Sequence, residues 1–151
     1  MSAFSIVRHT PLTPEQAWAA VSDFRAHGEV FPATVMDLDD DAPRIGWQFA
    51  AGTGLGKARL WDRMIITKWQ PPGPADARGE LRMVKIGRWL RGWAHVVVEA
   101  DGQGARVTWT EELGPRPDPL PRLTAPVSKW IGERLFARAV DQLLARPNAR
   151  G

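Results

Sequence analysis

The stretch PVSKWIGERLFARAVDQLLAR, residues Pro126–Arg146, is the longest uninterrupted helical pattern in the chain, and its reading decides the fold. At about 100° per residue, Ser128, Gly132, Leu135, Phe136, Ala139, Val140 and Leu143 fall on one arc, with Ile131 and Leu144 at its edges. Arg134, Arg138, Asp141 and Gln142 fall on the other. Pro126 suits a first-turn position, Arg146 complements the negative end of the helix dipole, and Pro147 stops the helix. An apolar face of this length has to be buried on something. Almost everything upstream reads as strand, so the expected partner is a sheet. The middle of the face is small: Gly132 inside a helix costs about 1 kcal/mol relative to Ala. Two readings of that gap stay open, close helix–sheet packing and a ligand cavity.

Working back from this helix, Phe4–His9 alternates as a first strand. Thr13-Pro14-Glu15-Gln16 is a capping-box helix start, with Ala17, Trp18, Val21 and Phe24 on one face. Residues 25–32 read as an irregular or short helical link. Strands are expected at 34–38, 44–51, 57–69, 80–86, 92–100 and 106–112. In the second of these Ile45, Trp47 and Phe49 share a side, and Gly52-Thr53-Gly54-Leu55-Gly56 reads as the turn that follows. Pro71-Pro72-Gly73-Pro74 closes the long strand, Asp101-Gly102-Gln103-Gly104 is a hairpin turn, and Pro115, Pro117, Pro119 and Pro121 form a stiff link to the last helix. One strand, a helix pair, about six strands in meander and a long closing helix is an α+β order with an antiparallel sheet. With no internal repeat and no long linker, residues 1–151 read as a single domain.

Composition narrows the function classes. There is no Cys, which excludes disulfides, a thiol nucleophile and Cys-ligated metal. The opening MSAFSIVRHT lacks a basic run followed by an apolar segment, and no apolar run is long enough to span a bilayer, so a soluble cytoplasmic protein without integral membrane association is expected. The net charge of +3 comes from 20 basic residues interspersed with 17 acidic ones. Because 16 of the 20 are Arg, the pI of about 9.9 reflects Arg usage rather than a concentrated field, and no nucleic-acid partner is expected. Eight Trp and no Tyr supply large apolar surfaces with few hydroxyls, as suits a core or an apolar pocket.

Four ordered segments resemble the START-like superfamily, also called SRPBCC, whose bacterial members are often labelled polyketide cyclase/dehydrase or lipid-transport proteins. They are Thr13-Pro14-Glu15-Gln16-Ala17-Trp18 through Asp23-Phe24, Ile45-Gly46-Trp47-Gln48-Phe49, Ile66-Thr67-Lys68-Trp69-Gln70-Pro71-Pro72, and Gly104-Ala105-Arg106-Val107-Thr108-Trp109. Two departures are visible: Phe31 stands before Pro32 where a tryptophan is usual, and Gly104-Ala105 replaces the usual Gly-Thr. The resemblance implies a helix-grip fold, a seven-stranded antiparallel sheet wrapped round the C-terminal helix with an apolar cavity between them.

Gly52-Thr53-Gly54-Leu55-Gly56-Lys57 fails as a phosphate loop, since Ala51 and Ala58 stand where its first glycine and its hydroxyl belong. His9, His27 and His95 lie on separate segments without metal-ligand spacing, so neither metal nor cofactor is expected. Alternation sends His95 outward with Glu99, and in the opposite phase it would be an acid/base candidate. Counting back from Pro71-Pro72 by the spacing of the resembled family puts Leu60, Asp62, Met64 and Ile66 on the concave face, whereas the opposite phase turns Trp61, Arg63 and Ile65 inward. A carboxylate at Asp62 among apolar neighbours suits an acid or base, or a structural partner for an Arg. No serine stands in a nucleophile elbow.

The functional expectation is binding of a small hydrophobic ligand, lipid-like or aromatic polyketide-like, between sheet and C-terminal helix. Its walls would be Trp47, Phe49, Leu60, Met64, Met83, Val96, Trp109, Gly132, Leu135, Phe136 and Ala139, with Asp62 as polar anchor. One alternative is a polyketide cyclase or dehydratase using Asp62 or His95. Another is a partner-binding module similar to chaperone activators, and the sequence leaves homodimerisation open.

Overall fold

The structure, a computed structural model, describes residues 3–115 and 125–146, with side chains of the last helix described at Trp130 and from Gly132 onward. Ten elements follow in the order β1 (Ala3–Thr10), α1 (Pro14–Val21), α2 (Phe24–Val30), β2 (Thr34–Leu38), β3 (Gln48–Leu55), β4 (Ala58–Gln70), β5 (Gly79–Lys85), β6 (Leu90–Asp101), β7 (Gly104–Pro115) and α3 (Ala125–Ala145). The strands form one antiparallel sheet in the order β1-β7-β6-β5-β4-β3-β2. This is the expected helix-grip arrangement: a meander from β2 to β7, β1 laid beside β7, and α3 packed against β1 and the two short helices.

Local chemistry explains the helix starts. Thr13 Oγ1 accepts from the Gln16 N–H at 3.2 Å while Gln16 Oε1 accepts from the Thr13 N–H at 3.0 Å, the reciprocal pair read from the sequence. Of the two forms expected for the link after Asp23 it takes the short helical one, because the Asp23 carboxylate caps it by accepting from the Ala26 N–H at 3.1 Å. Between them α1 and α2 bury Ala17, Trp18, Val21, Phe24 and His27. Two ion pairs on the rim tie α3 down, Arg8 to Asp141 at 2.6 Å and Arg146 to Glu29 at 2.5 Å.

Three readings change. Residues 44–47 form a turn, so Ile45 is exposed rather than in line with Trp47 and Phe49. Gly52–Leu55 belongs to β3 and the turn falls at Gly56-Lys57. The Trp61 ring of β4 lies over Gly52, where an added Cβ would come within 2.8 Å of it, so a glycine stretch that reads as a loop is paired strand covered by an aromatic. In α3 the buried line is Ala139, Val140 and Leu143, with Phe136 at its upper end, and Leu135 is 42% exposed. The helix is rolled by a fraction of one position toward Leu144, which packs against the core, so that Leu135 at the other edge of the arc turns out and Phe136 meets Phe4, Phe31 and Trp109. The Ser128 and Ile131 side chains and the link prolines 117, 119 and 121 lie outside what the structure describes.

One irregularity sets the face of β4. The pairing of β4 with β5 shifts between Ile66 and Lys68, leaving Thr67 as a bulge. On its N-terminal side Asp62, Met64 and Ile66 point to the concave face, and beyond it Trp69 does, stacking edge-on against Trp18 at 5.1 Å.

Candidate functional site

The concave face carries apolar rows on neighbouring strands: Met64 and Ile66 on β4, Leu81 and Met83 on β5, Ala94, Val96 and Val98 on β6, Val107 and Trp109 on β7. Strand alternation continues three of those rows with a charged residue, Asp62 on β4, Lys85 on β5 and Glu111 on β7. The three meet. The Lys85 ammonium donates to Asp62 Oδ2 at 2.5 Å and lies 3.0 Å from Glu111 Oε1, and Trp109 Nε1–H donates to Glu111 Oε2 at 3.1 Å. Lys85 reaches Glu111 past the intervening β6, which presents only Gly92 and Ala94 there.

The lysine side chain is 1% exposed, that of Glu111 3% and that of Asp62 21%. Such burial penalises charge, so each ion is held by its partners. Burial raises the Glu111 pKa above the ordinary glutamate value, and Lys85 opposes that only in part. Burial acts to lower the Lys85 pKa, but the Glu111 and Asp62 carboxylates outweigh it and the ammonium holds its proton more tightly than a free lysine. One polar atom is left over: Asp62 Oδ1 is buried and has no hydrogen-bond partner among the described residues.

Beside this group, on α2, His27 packs against Trp109 at 5.7 Å between ring centroids, and against Phe24 at 5.3 Å. Its Nε2–H donates to the Val21 carbonyl at 2.9 Å, and burial lowers its pKa, which favours the neutral ring.

The opposite, convex face has its own charged cluster. Glu80, almost wholly buried, accepts from Lys68 at 2.7 Å, Arg78 at 3.0 Å, Arg82 at 2.8 Å and His95 Nε2–H at 2.9 Å. Lys68 foremost, with Arg78, His95 and Arg82, holds its pKa well below the ordinary 4.5. A depressed carboxylate pKa contributes stability that is present above the ordinary value and lost as pH falls through the folded one. Glu80→Gln should therefore lie below the wild type in urea-melt stability at pH 7, and the two should converge as pH is lowered below about 4.5. A gap that persists at acid pH would contradict this assignment.

Sequence and fold comparisons relate the chain, though not its charged groups, to known proteins. A family model described as polyketide cyclase / dehydrase and lipid transport matches residues 1–147. The chain belongs to that family. Its place in the START-like superfamily agrees with the solved structures it resembles. The Zhui aromatase/cyclase from Streptomyces sp. R1128 superposes with a TM-score of 0.69 at 10% identity, over 99% of this chain and 93% of that one. TTHA0849 from Thermus thermophilus gives 0.65 at 11% identity, over 95% and 94% of the two chains. Ara h 8.0201 gives 0.63 at 13%, over 96% and 99%. At these identities the likeness is one of fold. No curated protein matches the chain in sequence.

Within this polyketide cyclase/dehydrase and lipid transport fold, the expected wall residues divide. Trp47, Phe49, Met64, Met83, Val96, Trp109 and Ala139 are buried. Trp47 and Phe49 are stacked on Phe24 of α2, at 5.4 and 4.5 Å. Phe136 is partly buried, and Gly132 is half-buried. Leu60 is in phase with Asp62 but 47% exposed, since it pairs with Thr53 close to the β3–β4 turn, beyond the covered part of the sheet. Leu135 is exposed for the reason given above. His95 lies on the convex face, away from Asp62. Lys85, Glu111 and His27 are the interior residues that the sequence reading passed over. Lys85 and Glu111 were accessible to it, because each prolongs an apolar alternation, Leu81-Met83-Lys85 and Val107-Trp109-Glu111.

Among the described residues no helix is long and apolar enough to cross a membrane, and no three acidic or histidine side chains are grouped to hold a metal ion.

Proposed function

We propose that the protein binds a small, largely apolar molecule between α3 and the concave face of the sheet, with the Asp62–Lys85–Glu111 group at its polar end. The observation that carries this reading is the placement of three charged side chains in phase with apolar rows, one of them keeping a buried, unpartnered oxygen. Buried ion groups seldom repay their desolvation in stability, so a role in recognition accounts for this one. The family description, which includes lipid transport, supports the same reading.

Gly132 supplies the test. Among the described residues a Cβ built there would meet Phe4 Cε1 alone within 4 Å, at 3.7 Å, so close backbone approach does not demand the glycine. Gly132→Leu places four carbons toward the proposed ligand space. Saturable binding of naphthalene, measured by equilibrium dialysis, should be lost in the variant, while thermal stability holds or rises by roughly 0.5–1 kcal/mol through helix propensity. A loss of about 1–3 kcal/mol would show an overpacked core and remove the pocket.

An acid/base reaction at the same group is the second reading, favoured by the raised pKa of Glu111 beside Lys85. Conversion of a bound compound, as opposed to its release unchanged, distinguishes the two.

A further inference from the structure

Resting on that binding site, we infer that its ligand carries a neutral hydroxyl, an alcohol or phenol that donates to Asp62 Oδ1, and that the site turns carboxylates away. The inference comes from accounting for every polar atom in the group. The three ammonium protons of Lys85 have three acceptors in reach: Asp62 Oδ2 at 2.5 Å, Glu111 Oε1 at 3.0 Å and, more weakly, Met64 Sδ at 3.8 Å. Glu111 Oε2 is taken by Trp109 Nε1–H at 3.1 Å, which also uses up the indole proton. What remains is Asp62 Oδ1, an acceptor, so the group offers a ligand no donor and asks it for one.

That balance sorts ligand classes. A carboxylate, or a carbonyl presented end-on, brings only lone pairs, and a carboxylate adds a third negative charge beside Asp62 and Glu111. An ammonium could donate, but it would have to shed its water next to Lys85, which already occupies the cation position between the two acids. A hydroxyl donates one proton, adds no charge and costs least to desolvate. Orientation follows from the row along β4. Asp62 stands between exposed Leu60 and buried Met64, so the hydroxyl end rests near the rim and the apolar body points inward along Met64.

The experiment is equilibrium dialysis of the full chain against four probes that share a bicyclic aromatic body: 2-naphthol, 2-methoxynaphthalene, 2-naphthoate and 2-naphthylmethylammonium. We expect 2-naphthol to bind about tenfold more tightly than 2-methoxynaphthalene, as a hydrogen bond to a charged acceptor provides, and 2-naphthoate to bind most weakly. In Asp62→Leu the naphthol and methoxy compounds should bind alike. Equal binding of those two to the wild type overturns the hydroxyl inference while the apolar site stands, as does tighter binding of the carboxylate or the ammonium. Failure of all four and of naphthalene overturns the site itself. The wild-type series is decisive even if Asp62→Leu does not fold.

Discussion

Lys85→Met should destabilise the protein by about 3–5 kcal/mol at neutral pH, the usual cost of removing one partner from a buried ion group. Methionine nearly matches the lysine stem in length and keeps its packing against Met64. The two carboxylates then face each other with no cation between them, Glu111 3% exposed and Asp62 21%. Because protonation relieves that repulsion, the deficit should shrink as pH is lowered from 7 toward 5, above the range in which the Glu80 deficit closes. Urea melts of both proteins at the two pH values check it, and a deficit below about 1 kcal/mol at pH 7 would mean that the group is solvated. The combined change Asp62→Leu, Lys85→Met, Glu111→Leu should regain most of the loss, since an apolar trio of similar volume needs no partners. A stable triple variant that no longer prefers 2-naphthol would separate recognition from folding.

Gly92→Ala is the second large effect, expected at about 3–5 kcal/mol from backbone strain and steric conflict together. Gly92 has φ +133°, and an added Cβ would stand 1.9 Å from the Glu112 carbonyl oxygen on β7. Relief requires β6 and β7 to separate where Lys85 crosses toward Glu111. Urea melts that match the wild type within about 1 kcal/mol would show that the strand pair yields at little cost.

Much of the fold was legible because its signals are local. The capping box at Thr13, the hairpin at Asp101–Gly104 and the amphipathic α3 each depend on residues within a few positions of one another. The glycines of β3 misled because a turn residue and a residue covered by a neighbour's aromatic ring look alike until Trp61 is set opposite Gly52. Asp62 was legible as an inward carboxylate once the spacing of the resembled family, counted back from Pro71-Pro72, chose between the two phases that alternation left open. Lys85 and Glu111 prolong alternations of their own, but their meeting with Asp62 was not legible, for a topological reason. Lys85 and Glu111 stand near strand ends, where a charge normally marks the chain leaving the core, and they meet only because β5 and β7 flank β6 with Gly92 and Ala94 between them. His27 was hidden in the same way, by a short helix whose inward face is fixed by the Asp23 cap and not by periodicity.

The extra residue at Thr67 makes β4 a ruler with a half-step cut into it. Asp62 and Trp69 are seven positions apart, an odd separation that in a regular strand sends two side chains to opposite sides, yet both serve the interior. The same offset delivers Lys68 to Glu80 on the outer side. One strand thus furnishes the rim carboxylate inside and a cation outside, and the parity of the count from Pro71-Pro72 back to Asp62 is as much a part of the site as the carboxylate.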